Sequence, residues 1–199
     1  MKRCVAILIL MLIPAVSNAS FSKEFKRSFE NTFRPAVYHK GLETAAYPLD
    51  ISKINTFVVI EQDKIIPANR AFYFLFPSDY DYIGAVIDTE KNELIRRRKD
   101  IYTYLPKGTI MGVTSVEYSG RTVYLKLISL QEIGSTNNPG EQATKVTVML
   151  GFKFNKETIK GVDAEPAIQM IKKWLVPFAN YSEAANYANK ILTTQSRPR

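Results

Sequence analysis

Two stretches decide the fold: Thr109–Leu130, TIMGVTSVEYSGRTVYLKLISL, and Thr144–Phe154, TKVTVMLGFKF. The first holds two β-rich runs, Thr109–Tyr118 and Arg121–Leu130, on either side of Ser119-Gly120, which predicts a tight hairpin. In the second, Val146, Val148, Leu150, Phe152 and Phe154 alternate with Lys145, Thr147, Met149, Gly151 and Lys153. That period of two predicts a strand with one face in the core and the other turned outward.

Working outward, more strands precede the hairpin. Phe57–Ile60 is a β-branched run, and Ala71–Phe76 is apolar on both faces, as a strand covered on both sides is. Pro77-Ser78-Asp79 is a turn, and Tyr82–Asp88 is a strand joined through Thr89-Glu90-Lys91-Asn92 to Glu93–Arg98. Leu105-Pro106-Lys107-Gly108 is the clearest internal punctuation and the one candidate boundary between a 36–104 region and a 105–192 region. The segment from Ala36 to Asn55 carries breakers at Gly41 and Pro48 and gives no clear element.

Helices flank this β-rich body. Phe21, Phe25, Phe29 and Phe33 recur every fourth residue, so over 20–35 they cover about 120° of a helix surface before Pro35 ends it. The stripe fits docking on the protein's own sheet or lying on a membrane. Glu24 and Glu30 interrupt the basic side, and the pairs Lys26–Glu30 and Glu30–Arg34 are ordinary i,i+4 neighbours, which favours docking. Near the C-terminus Asp163 is a candidate cap with Pro166 in the first turn, and Ile168, Ile171, Trp174, Leu175 and Phe178 fall on one helical face. Ser182 is expected to cap a second helix through Leu192, with a flexible tail over 193–199. The expected architecture is α+β: about seven mainly antiparallel strands in a small barrel or curled sheet, with one N-terminal and one or two C-terminal helices.

The first nineteen residues read as a secretory signal. Lys2 and Arg3 precede an apolar run from Cys4 to Ile13, and Ser17-Asn18-Ala19 offers small residues for cleavage after Ala19. A membrane-spanning helix needs about 20 apolar residues, more than this run supplies. The expected location is therefore periplasmic or secreted, with no transmembrane helix in the mature chain. The single cysteine, Cys4, leaves with the signal, which excludes disulfides, thiolate metal sites and cysteine nucleophiles. Lys2 and Arg3 are two of the 27 basic residues, leaving 25 against 19 acids and a net charge of +6. For an exported chain that charge suits an anionic surface or an acidic protein face rather than nucleic acid. Eleven Tyr, eleven Phe and one Trp provide for a real core.

Catalytic signatures are absent: no GxGxxG, P-loop, nucleophile elbow or HExxH occurs. The one histidine, His39, cannot build a paired-imidazole metal site and has no serine in a recognisable turn nearby. Asp79, Asp81, Gly84 and Glu90 match positions one, three, six and twelve of a calcium loop. Ile83 and Ile87 occupy the fifth and ninth positions, and strands flank the segment, so a turn is expected instead. Acids such as Asp88, Glu90, Glu93 and Asp100 could supply the pair a glycoside hydrolase needs, but the required separation is not visible in a sequence. No cofactor and no metal are expected.

The densest charge run is Arg96-Arg97-Arg98-Lys99, followed by Tyr102 and Tyr104. These residues, with the polar loop Glu132–Gln142, are the candidate contact surface. The competing structural reading is an edge strand whose charges prevent pairing with other chains. The functional expectation is a non-catalytic binding or structural module of the envelope, with an unidentified envelope protein or anionic surface as partner. The alternatives are membrane or lipopolysaccharide association through the phenylalanine helix, and a carboxylate-dependent hydrolase.

Overall fold

The computed structural model describes residues 20–36, 51–63, 65–70, 83–97 and 101–195. The predicted signal peptide, His39, the strand Ala71–Phe76, the turn after it, and Arg98 and Lys99 lie outside the described residues.

The architecture is α+β. A curled, mostly antiparallel half-barrel combines β1 (Phe57–Ile60), β2 (Pro67–Arg70), β3 (Ile83–Asp88), β4 (Glu93–Arg97), β5 (Thr103–Tyr104), β6 (Ile110–Ser119), β7 (Thr122–Ser129), β8 (Val146–Lys153) and β9 (Leu175–Phe178). Seven of these run in the order β4-β3-β8-β7-β6-β1-β9, with β2 pairing β8 and β5. Strands from both sides of the Leu105–Gly108 punctuation interleave in this sheet, since β1 lies between β6 and β9. The helices are α1 (Lys23–Thr32), α2 (Lys156–Lys160), α3 (Glu165–Lys172) and α4 (Tyr181–Gln195). Among the described residues no helix is long and apolar enough to cross a membrane.

The hairpin β6–β7 closes through Gly120 and Arg121, with Ser119 opposite Thr122 and Gly120 at φ +58°, a value that suits glycine in a two-residue loop. The register slips between Val113 and Ser115, leaving Thr114 as an extra residue whose hydroxyl donates to the Lys126 carbonyl (3.0 Å). This bulge inverts the alternation, so Met111 and Val113 before it and Val116 and Tyr118 after it all belong to the same core. β8 pairs β7 antiparallel and β3 parallel, and that one parallel pair was not anticipated. The long connection between β3 and β8 makes it possible, because parallel neighbours cannot be joined by a hairpin. Gly84 bulges from β3 where β2 crosses closely; a Cβ there would lie 2.6 Å from Val148 and 2.9 Å from the Pro67 carbonyl. Close packing accounts for this glycine without a calcium loop.

One face of the sheet carries the main core. Phe25, Phe29 and Phe33 are fully buried in it and Phe21 nearly so, beside Val58, Val123, Leu125, Leu127, Val148, Leu150 and Phe152. The four rings pack in series, with neighbouring centroids 5.1, 6.0 and 4.9 Å apart, and Phe21 and Phe29 also meet Tyr118. Ser22 caps α1 by accepting from the Phe25 N–H (2.9 Å) and donates to the Gly161 carbonyl (3.2 Å). A smaller core on the opposite face joins Phe57, Val59, Ile110 and Leu130 to Ala184 and Ala188 of α4.

The C-terminal part departs from the sequence reading. The helix expected to run through Phe178 ends at Lys172, and Leu175–Phe178 is a strand antiparallel to β1. Pro177 lacks the N–H a helix requires and disfavours helical geometry at Val176, whereas an edge strand tolerates it. Asp163 accepts from the Glu165 N–H (2.9 Å), although Ala164 occupies the cap position of α3. Asn180, rather than Ser182, caps α4 by accepting from the Glu183 N–H (2.9 Å), and α4 runs on to Gln195 instead of fraying at Thr193.

Burial of a phenylalanine contributes about 1.5–3 kcal/mol, so the four together rival the whole stability of a typical domain. Phe29→Ala is expected to lower unfolding free energy by about 3–5 kcal/mol, read from the midpoint of urea denaturation. A loss under about 1 kcal/mol would mean that α1 is not docked as described.

Candidate functional site

The start of β8 organises a corner of the molecule. β2 pairs there, with Asn69 opposite Thr147 and Arg70 opposite Val146, while β5 pairs Thr103 with Ala68. The chain entering β5 is fixed at Tyr102, whose N–H donates to the Ala68 carbonyl (3.1 Å) and to Asn69 Oδ1 (3.2 Å). Tyr102 is buried, and its hydroxyl donates to the Gln142 carbonyl (3.0 Å). The Arg70 guanidinium lies over its ring, 4.9 Å from the centroid, and pairs with Glu141. Both charges are about one-third exposed, so solvent screening leaves that pair a small contribution.

The loop 132–142 is held onto this corner. Ser135 Oγ donates to the Tyr102 carbonyl (3.0 Å) and accepts from the N–H groups of Asn137 (3.2 Å) and Asn138 (3.0 Å). Asn137 Nδ2 donates to the Ile101 carbonyl (2.7 Å), and the Glu141 N–H donates to the Asn138 carbonyl (2.9 Å). At its base Ile133 and Thr144 exchange both backbone bonds, at 2.7 and 3.2 Å. Thr136, Asn137, Asn138, Pro139 and Gly140 are nevertheless exposed. The result is a polar surface loop whose backbone is pinned from beneath.

Of the predicted contact residues, Tyr102 and the loop come together, with Tyr102 acting as a strut under the loop. Tyr104, half-exposed on β5, faces Pro67 across the β2–β5 pair. Arg96 and Arg97 stand on β4, opposite Val86 and Ala85, at one end of the strand order. β4 carries a bulge at Ile95, and among the described residues no strand pairs with its outer side. A bulge and charges on an edge strand are the features that prevent sheet extension. The sequence reading took Ser135, Asn137 and Glu141 only as members of the 132–142 loop, and it did not single out Arg70. The spacing Ser135-x-Asn137-Asn138 was the available signal, because a serine hydroxyl readily caps the N–H groups two and three residues ahead.

A second polar cluster joins elements distant in sequence. Tyr187 of α4 donates to Glu61 Oε1 (2.7 Å), while Lys107 Nζ lies 3.3 Å from Glu61 Oε2. The hydrogen bond to Glu61, then burial, then the carboxylate's charge push the Tyr187 phenol up to about 12. An open cleft of about 520 Å³ lies along α1, lined by Lys23, Lys26, Arg27, Glu30, Asn31, Arg34 and Pro35. It holds one carboxylate, so it does not offer the pair that glycoside hydrolysis requires. Of the acids considered for such a pair, Asp88 accepts from the N–H groups of Glu90 and Lys91 (both 3.2 Å), and Glu90 accepts from Asn155 Nδ2 (2.8 Å). Asp79, Asp81 and Asp100 lie outside the described residues. Among the described residues, no group of three His, Cys, Asp or Glu side chains gathers as a metal site. No protein family matches the chain, and comparison with curated proteins and with solved structures finds no match.

Ser135→Ala removes the central pin of the loop. It is expected to lower local stability by about 1–2 kcal/mol, raising amide exchange over 136–141 roughly 5- to 30-fold while leaving β7 and β8 protected. The Tyr187 phenol is held neutral above its unfolded pKa, so its contribution is complete below about pH 10 and disappears as pH rises through about 12. Tyr187→Phe should therefore flatten the fall in stability between pH 10 and 12, measured by denaturation at each pH.

Proposed function

We propose that this chain is an exported, soluble, non-catalytic binding module of the cell envelope. Its contact surface is the 132–142 loop together with the exposed edge of Arg70 and the basic end of β4, Arg96 to Lys99. The observation that carries this reading is the pinned loop: exposed and polar, yet tied to Tyr102 and Ile101 by side-chain to backbone bonds.

The physical logic is pre-organisation. A free loop of this length loses conformational freedom when a partner binds, and that loss weakens association. Ser135 and Asn137 already restrict the loop, so a partner meets amide and hydroxyl groups in fixed positions. In sequence the basic end of β4 precedes Tyr102 by five residues. Its charge accelerates encounter with an acidic protein face and weakens with salt. The β4 bulge and charges oppose strand addition, which favours contact through side chains and the loop.

The test is crosslinking in cells with affinity recovery of the tagged protein, comparing wild type with Ser135→Ala and with Arg96→Ser/Arg97→Ser/Arg98→Ser. The expected result is one partner recovered in near-equal amount with the wild type and reduced at least about fivefold in both variants. Undiminished recovery with both variants would place the contact elsewhere.

A further inference from the structure

Phe21 belongs to the core, yet it stands only two residues past the expected cleavage point. Ser20 is exposed, whereas Phe21 is 6% exposed. The Phe21 ring lies 5.1 Å from that of Phe25 and 5.2 Å from that of Tyr118, centroid to centroid. Ser22 is held twice: its hydroxyl accepts from the Phe25 N–H (2.9 Å) and donates to the Gly161 carbonyl (3.2 Å). The second and third residues after the Ala19–Ser20 bond are therefore built into the core and the helix cap.

A peptidase holds its substrate extended over several residues on both sides of the bond, so a junction docked in a fold is cut only through local opening. Here opening withdraws Phe21 from Phe25 and Tyr118 and breaks the Ser22–Gly161 bond. A flexible lead of several residues would leave the bond accessible after folding, but Ser20 alone separates it from Phe21. The partners that hold this end of α1 also come late in the chain. Gly161 follows Ser22 by 139 residues, and Asp163 follows Ser28 by 135. At a chain growth of about 5–20 residues per second, that distance takes roughly 7–30 s. The surface that covers Phe21 is incomplete until then.

We propose that this layout orders two events, an inference that rests on reading the chain as exported. A signal peptidase hydrolyses the Ala19–Ser20 bond first, and docking of Phe21 and Ser22 then seals the new N-terminus. Water adds across the amide, leaving a carboxylate on Ala19 and an ammonium on Ser20. The residues that close the core also close the junction, so a chain that folds before it is cut keeps its signal. Phe21 is both a core residue and the limit on the time open for processing.

The experiment offers the full-length precursor to a purified signal peptidase in detergent. One sample is diluted straight from urea, and the other is first refolded until its near-ultraviolet circular dichroism matches that of the chain starting at Ser20. Product masses followed over time give the position of the cut and its rate. The unfolded precursor should be cut after Ala19, and the refolded one at least about 30-fold more slowly, because cutting waits on opening. Two variants test the cause, each compared with its own unfolded form so that any change in recognition of the bond cancels. Phe21→Ser removes the buried ring and should speed cleavage of the refolded precursor about tenfold or more. A Gly-Ser linker of about six residues between Ser20 and Phe21 leaves the core intact and should bring folded and unfolded rates within about threefold. Equal rates for folded and unfolded wild type would overturn the inference while leaving export intact. Continued resistance of the refolded linker variant would also overturn it, since the block would then lie elsewhere. If the unfolded precursor is not cut after Ala19, the export reading itself fails and this inference falls with it.

Discussion

Everything in this molecule follows from the need to cover the open face of a half-barrel. A curled sheet that does not close on itself leaves the apolar side chains of β6, β7 and β8 facing water unless another element seals them. α1 does so with phenylalanines one helical turn apart, set against Val123, Leu125, Leu127 and Tyr118. Its position is fixed at several points. Ser22 reaches Gly161, Ser28 bonds both Asp163 (3.4 Å) and the Ala164 N–H (3.3 Å), and the Ala36 N–H donates to Val113 (3.1 Å). Sealing the core with one side of an amphipathic helix necessarily turns its cations outward.

The sheet also sets where a partner can be met. β8 is paired along both sides, so no new strand can join it, and its first residues serve as the platform for β2 and β5. The loop between β7 and β8 has to emerge at that platform, where Arg70 and Tyr102 wait beneath it. Seen this way, the exposed loop and the buried core share a support: Ser129, wholly buried, accepts from the Val146 N–H (2.9 Å) and donates to Gln131 (2.7 Å), tying both ends of the connection together.

The features legible in the sequence were those written in periodicity. The four-residue spacing of Phe21 to Phe33, the alternation of Val146 to Phe154 and the glycine turn after Ser119 each yielded an element close to its observed bounds. What escaped depends on partners remote in sequence. The parity change at Thr114 is invisible because threonine is unremarkable in a strand, and the parallel pairing of β3 with β8 leaves no local mark. Leu175–Phe178 continued a helical pattern of apolar residues, and only Pro177 argued against it. At the candidate site the conspicuous residues, Arg96 to Lys99, drew attention by charge. Arg70 and Asn137 act through a tyrosine ring and a carbonyl more than thirty residues away.

The central claim is that α1 is part of the folded core, with its phenylalanine side buried and its charged side exposed. Native-state hydrogen exchange followed residue by residue addresses it directly. The account predicts that the amides of Arg27 to Phe33 exchange nearly as slowly as those of β7 and β8, through global unfolding. Exchange of those amides at the rate of a free peptide, with β7 and β8 still protected, would show the phenylalanine stripe undocked and contradict the account.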